Sequence, residues 1–174
     1  RAWTELGGKS PNIVFADCPN LDKAVEAAVG SIFFNQGESC NAPSRLFVEA
    51  TIKDRFLERA LALVPGYAPG NPLDKATVMG AIVDQTQLNT VLRYIETGKN
   101  EGAKLLAGGE QAMKETGGCY VQPTIFDGVR NQHVGRQHIR QRNGDCGLVE
   151  HDNIFAIGLA EQEGQRGLAG GRGV

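Results

Sequence analysis

The sequence predicts an α/β domain with a mostly parallel sheet and helices on its faces. Three observations predict it: short apolar runs of strand length, amphipathic stretches of helix length alternating with them, and Pro/Gly punctuation between the two. Length and composition agree, since 174 residues with 41% apolar and 22% charged side chains suffice for a buried core.

The first apolar run, residues 12–16, is Asn-Ile-Val-Phe-Ala between Pro11 and Asp17, and reads as a buried strand. A helix is predicted over 21–34, with Ala24, Val25, Ala28 and Ile32 at helical spacing and Asp22 in the first turn. Gln36 and Gly37 end it. Residues 45–49 form the next strand, so Cys40 falls on a loop between a helix and a strand, where rigid elements present reactive groups. A second amphipathic helix covers 52–64, closed by Pro65 and Gly66, and a Pro/Gly-rich loop runs to Pro72. A third helix is predicted over 85–101, then a strand over 104–107 and a strand-like stretch over 119–126. The strand–helix alternation is what implies parallel pairing.

Bulk properties exclude more than they name. A net charge of −2 gives no electrostatic case for nucleic acid or an anionic membrane surface. No apolar stretch approaches the roughly 20 residues of a membrane span, and no signal peptide is visible. Cys18, Cys40, Cys119 and Cys146 make no Cys-x-x-Cys pair and no disulfide framework, which fits a reducing, cytoplasmic setting. His133, His138, Cys146 and His151 match no common zinc spacing, so no metal site is expected.

Two segments carry chemistry: Glu5-Leu6-Gly7-Gly8-Lys9-Ser10-Pro11-Asn12, and Phe33-Phe34-Asn35-Gln36-Gly37-Glu38-Ser39-Cys40. A thiolate that adds to an aldehyde gives a thiohemiacetal, which can lose hydride and become a thioester. Hydrolysis of that thioester needs a carboxylate within reach of water, best with a pKa raised toward neutrality. Cys40 is the candidate nucleophile and Glu5, 35 residues earlier, the candidate base. The backbone N–H of Cys40, in a Gly-containing turn, suits an oxyanion donor. Taken alone, Cys40 reads as a buried structural thiol and Glu5 as a surface carboxylate; only the joined pattern changes those readings.

That pattern resembles the aldehyde dehydrogenase family. The two segments stand in the family's order and spacing, and the resemblance continues through Arg45-Leu46-Phe47-Val48, Gly70-Asn71-Pro72-Leu73-Asp74, Tyr94-Ile95-Glu96-Thr97-Gly98-Lys99 and Pro123-Thr124-Ile125-Phe126, over roughly residues 2–130. The wording is nearest to bacterial members acting on amino-aldehydes of the γ-glutamyl-aminobutyraldehyde type. The resemblance implies oxidation of a small-molecule aldehyde to an acid with NAD or NADP, catalysed by Cys40 and Glu5. It implies cofactor contacts from Leu6, Gly7 and Gln87, although a polar residue such as Gln87 on an exposed helix face is as ordinary without one. Asn35, Gln36 and Gly37 are expected to shape the turn, Lys9 to be structural, and Cys18 and Cys119 to be ordinary core or loop cysteines.

The same resemblance implies that the chain is an internal piece of a longer, homo-oligomeric enzyme. Residues 1–130 are expected to form part of the catalytic domain, with the junction to the cofactor domain at 1–10. The family's main dinucleotide-binding domain and its oxyanion asparagine would precede Glu5. Little or no turnover is expected from these 174 residues alone. Near Asn131 the composition breaks: all seven prolines lie before it, and all three histidines and nine of the 23 glycines after it. The family's Glu-Ile-Phe-Gly-Pro segment has no counterpart there, so residues 131–174 are expected to be an irregular tail, read in a shifted frame or disordered. Two alternatives to the dehydrogenase reading stand: a cofactor-independent cysteine esterase, and a catalytically inactive truncated product.

Overall fold

The computed structural model describes residues 1–3 and 8–129, and the backbone of 153–157. Ten elements make two sheets and three helices. In chain order they are β1 (Pro11–Val14), α1 (Leu21–Phe33), β2 (Arg45–Val48), α2 (Lys53–Leu63), α3 (Gln85–Asn100), β3 (Lys104–Ala107), β4 (Gln111–Ala112), β5 (Tyr120–Val121), β6 (Thr124–Asp127) and β7 (Asn153–Ile157).

The helices start where the sequence offers caps. Asn20 accepts from the Lys23 N–H at 2.9 Å ahead of α1, and Asp84 accepts from the Gln87 N–H at 2.8 Å ahead of α3, each satisfying a donor that the first turn would leave orphaned. The side chains that bury from α1 are Val25, Ala28, Val29, Ile32 and Phe33, one stripe at helical spacing. From α3 they are Leu88, Val91 and Ile95.

The five-stranded sheet runs β1-β2-β7-β6-β3, and β4 and β5 form a separate two-stranded ribbon. Its class is α/β, as expected, but its pairing is more mixed than the mostly parallel arrangement predicted. Only β1 and β2 pair in parallel, Ile13 opposite Phe47; β2–β7, β7–β6 and β6–β3 are antiparallel. A parallel neighbour needs a long crossover, usually a helix. The β1–α1–β2 unit has one. The helices α2 and α3 instead link β2 to β3 at the far edge, and β3 to β6 is bridged by the ribbon, which returns the chain antiparallel.

Two further expectations are corrected. The stretch 119–126 is not one strand, because Pro123 cannot donate to a ladder and Gln122 N–H turns away to the Glu110 carbonyl at 3.0 Å; β5 and β6 lie on either side. The tail is not wholly irregular either. Asn-Ile-Phe-Ala-Ile, rich in strand formers, supplies β7 between β2 and β6.

Successive residues of β6 serve different cores, as the pleat requires. Ile125 joins the cluster under α1 and α2 with Val25, Ile32, Phe33 and Phe56. Phe126 joins the one under α3 with Leu88, Val91 and Ile95. Helices therefore cover both faces at this strand. Between α2 and β6, Lys53 Nζ lies 3.0 Å from Asp127 Oδ1. Among the described residues, no helix is long and apolar enough to cross a membrane.

Candidate active site

The Cys40 loop begins where α1 stops. Phe34 leaves the helix with ψ 135°, its N–H still bonded to the Gly30 carbonyl, and Asn35 and Gln36 then take left-handed backbone at φ 48° and 58°. Gly37 follows at φ 76°. Glycine holds such angles freely, but each non-glycine residue there costs about 1–2 kcal/mol, so two in succession need support from outside the turn.

Support comes from 45 residues away: the Gln36 side-chain amide donates to the Ala81 carbonyl at 3.1 Å. Beyond Gly37 the chain makes two tight turns, Glu38 N–H to Asn35 O at 3.0 Å and Ala42 N–H to Ser39 O at 3.0 Å. Cys40 sits in the second of these turns, exposed and without a disulfide. A thiol so placed is open to a substrate approaching from solvent, while the backbone behind it is fixed.

The loop is also tied to the other segment singled out in the sequence. Gly8 approaches so closely that a Cβ on it would stand 3.3 Å from the Cys40 carbonyl oxygen. Arg45 N–H bonds the Ser10 carbonyl at 3.3 Å, and Arg45 Nε donates to the Lys9 carbonyl at 2.7 Å. Thus the chain just after Gly7 lies against the backbone of Cys40 and is held there by β2. Glu5, Leu6 and Gly7 themselves lie outside the described residues, as do His133, His138, Cys146 and His151.

Three contributors escaped sequence reading. Arg45, half-buried, has its guanidinium 5.9 Å over the Phe47 ring, and burial lowers its pKa from the usual value. Glu38, two residues before Cys40, keeps an exposed surface, yet partial desolvation raises its carboxyl above the ordinary range. Gln36 shapes the turn as expected, but its bond to the Ala81 carbonyl, 45 residues away, has no local signal. Lys9 and Cys18 read as expected: Lys9 contributes its main chain, and Cys18 packs at the edge of the larger core. Cys119 does the same in the smaller one.

Gln87 lies half-buried in the first turn of α3, just beyond the 80–84 segment that Gln36 grips, with its own N–H committed to the Asp84 cap. A cavity of about 20 Å³ between α1, α2 and the sheet, lined by side chains such as Val29, Phe33, Leu46 and Phe56, is an apolar packing gap with room for about one water. Among the described residues, no group of three or more His, Cys, Asp or Glu could hold a metal.

Residues 1–137 match the aldehyde dehydrogenase family, and the chain belongs to that family. Human mitochondrial aldehyde dehydrogenase is 49% identical over 131 residues, which is 75% of this chain and 25% of that protein. Among solved structures, the Pseudomonas syringae indole-3-acetaldehyde dehydrogenase AldA, in complex with NAD+, shares 57% identity at a TM-score of 0.73, over 75% of this chain and 26% of that one. The γ-glutamyl-γ-aminobutyraldehyde dehydrogenase of Burkholderia cenocepacia J2315 shares 56% at 0.69, over 72% and 25%. The chain spans about a quarter of the length of these relatives.

Proposed function

We propose that this chain supplies the nucleophile and the base of an enzyme that oxidises an aldehyde to a carboxylic acid, with Cys40 as nucleophile and Glu5 as general base. The observation that supports this is the approach of Gly8, three residues after Glu5 in the sequence, to the backbone of an exposed Cys40. The Cys40 thiolate adds to the carbonyl carbon, forming a C–S bond and an alkoxide that the Cys40 N–H is suited to meet. Once the carbon stands at the oxidation level of a thioester, Glu5 takes a proton from water. The resulting attack breaks the C–S bond, releasing the acid and restoring the thiolate. NAD or NADP, when bound, supplies the hydride acceptor; relatives crystallised with NAD+ support that class.

Substrate choice is finer. We read it as an amino-aldehyde of the γ-glutamyl-aminobutyraldehyde type, supported by one relative at 56% identity, while an indole-3-acetaldehyde enzyme at 57% gives the competing case. The chain spans about a quarter of its relatives' length, so little turnover is expected from it alone, and the parent enzyme is expected to be homo-oligomeric. The test is peptide-resolved thiol labelling of the 174-residue chain with and without each aldehyde. Rapid labelling of Cys40, slowed by aldehyde, supports the reading; equal, slow labelling of all four cysteines favours an inert product instead.

A second reading concerns residues 131–174, which we propose depart from the family's continuation. The change of vocabulary at Asn131 and the family model's match ending at residue 137 favour it, whereas the pairing of β7 within the sheet and an acetaldehyde dehydrogenase aligned over 98% of this chain weigh against it. Intact mass and C-terminal peptide mapping of the protein from its natural source decide: a larger polypeptide with the Cys40 peptide but without the His133 to Val174 sequence supports it.

A further inference from the structure

We propose that Gln36 is a positioning residue for Cys40, acting through the bond from its side-chain amide to the Ala81 carbonyl; this rests on the reading of Cys40 as nucleophile. Asn35, Gln36 and Gly37 reverse the chain in three successive left-handed steps. A turn made only to reverse direction would be cheapest with glycine at each step. Glutamine in the middle is costly unless its side chain has a task, and the structure gives it one across 45 residues.

The acceptor is itself immobilised. Ile82, next to Ala81, donates to the Cys119 carbonyl at 2.9 Å and is buried with Leu88 and Val121 in the core under α3. Gly80 keeps the approach open, because a Cβ there would stand 3.2 Å from Gln36 Nε2. On the other side of Gln36, the turns Asn35–Glu38 and Ser39–Ala42 leave little slack before Cys40. The amide therefore bolts the thiol's loop to the second core, and the register of that bolt sets where the sulfur stands. A displacement on the order of 1 Å at a nucleophile is enough to cost about two orders of magnitude in rate.

The experiment is pulsed iodoacetamide labelling of the full chain, read peptide by peptide across pH, with Cys18 as internal reference and the thermal midpoint recorded. Gln36→Gly removes the bolt while relieving the backbone; Gly80→Ala crowds the bolt and leaves every residue of the Cys40 loop in place. Both are expected to lower the ratio of Cys40 to Cys18 labelling severalfold and to displace the Cys40 pH profile, because a moved loop changes the access and the charged surroundings on which thiol reactivity depends. A merely structural turn predicts that Gln36→Gly keeps the wild-type ratio and profile, and that result overturns the proposal. Should Gln36→Gly fail to fold, an unchanged Cys40 in Gly80→Ala overturns it. If Cys40 in the unaltered chain labels no faster than Cys18, the nucleophile reading fails, and the Gln36 proposal with it.

Discussion

Arg45 donates through Nε to the Lys9 carbonyl at 2.7 Å, while its own N–H holds the Ser10 carbonyl at 3.3 Å. One residue at the head of β2 thus clasps the segment that leads from Glu5 into β1. The side-chain bond involves a charged donor, a class whose net contribution is about 1.5–3 kcal/mol, and stacking over Phe47 adds to it. Against that stands the desolvation that lowers the Arg45 pKa. The balance predicts that Arg45→Met costs about 1–2 kcal/mol in urea unfolding. It also predicts slower Cys40 labelling, because the clasped segment abuts the Cys40 backbone. An unchanged midpoint would show that the clasp contributes nothing.

Gly8 gives a narrower probe of the same contact. A methyl at this position meets the Cys40 carbonyl at 3.3 Å, tight but within reach of a small backbone shift. Gly8→Ala is accordingly expected to leave stability within about 1 kcal/mol, offset in part by reduced freedom of the unfolded chain. Its effect should fall on Cys40 labelling, which is predicted to drop severalfold. Labelling unchanged by Gly8→Ala would mean that the two segments touch without setting the thiol.

These contacts mark the boundary of what sequence reading could reach. The β1–α1–β2 unit was legible because each signal is local: apolar runs, Asp22 in the first helical turn, and Gln36-Gly37 after the helix. Cys40 on its loop was legible for the same reason. The antiparallel ladders were not, since Ile125 finds its partners in β3 and β7 at separations that no periodicity encodes. Nor was Gln36, whose left-handed backbone and distant acceptor both depend on the tertiary fold. Pro123 is a local signal of the break, since its missing N–H separates β5 from β6.

Glu38 carries a pH prediction. Its folded pKa is raised above the ordinary 4.5 by desolvation, so the folded state holds the proton more tightly than the unfolded chain does. The ionised carboxylate is therefore a burden above the raised value, and the burden is relieved as pH falls toward 4.5. Glu38→Gln should raise the thermal midpoint at neutral pH, with the gain vanishing in mild acid. The gain is expected to be small, since the side chain keeps water contact. Thermal scans of both proteins from neutral to acid pH check the sign; a gain that grows on acidification would contradict it.

Thr124 offers the sharpest stability test away from the site. Its residue is 1% exposed, and its hydroxyl accepts from the Gly109 N–H at 2.9 Å while donating to the Gln122 carbonyl at 2.8 Å. Gly109 takes φ 90° and Gly108 φ 67°, and a Cβ on Gly108 would run into the Pro123 carbonyl. The hydroxyl thus pins a turn that only glycines can make to the start of β6. Thr124→Val keeps the shape and strands both partners, at a cost of about 1–3 kcal/mol for each group left unpaired. Thr124→Ser keeps both bonds and loses a methyl, about 1 kcal/mol by burial. Valine should therefore destabilise more than serine in urea unfolding, although it is the better strand former and the more apolar residue. The reverse order would mean that the methyl group, and not the hydroxyl bridge, holds this corner of the sheet.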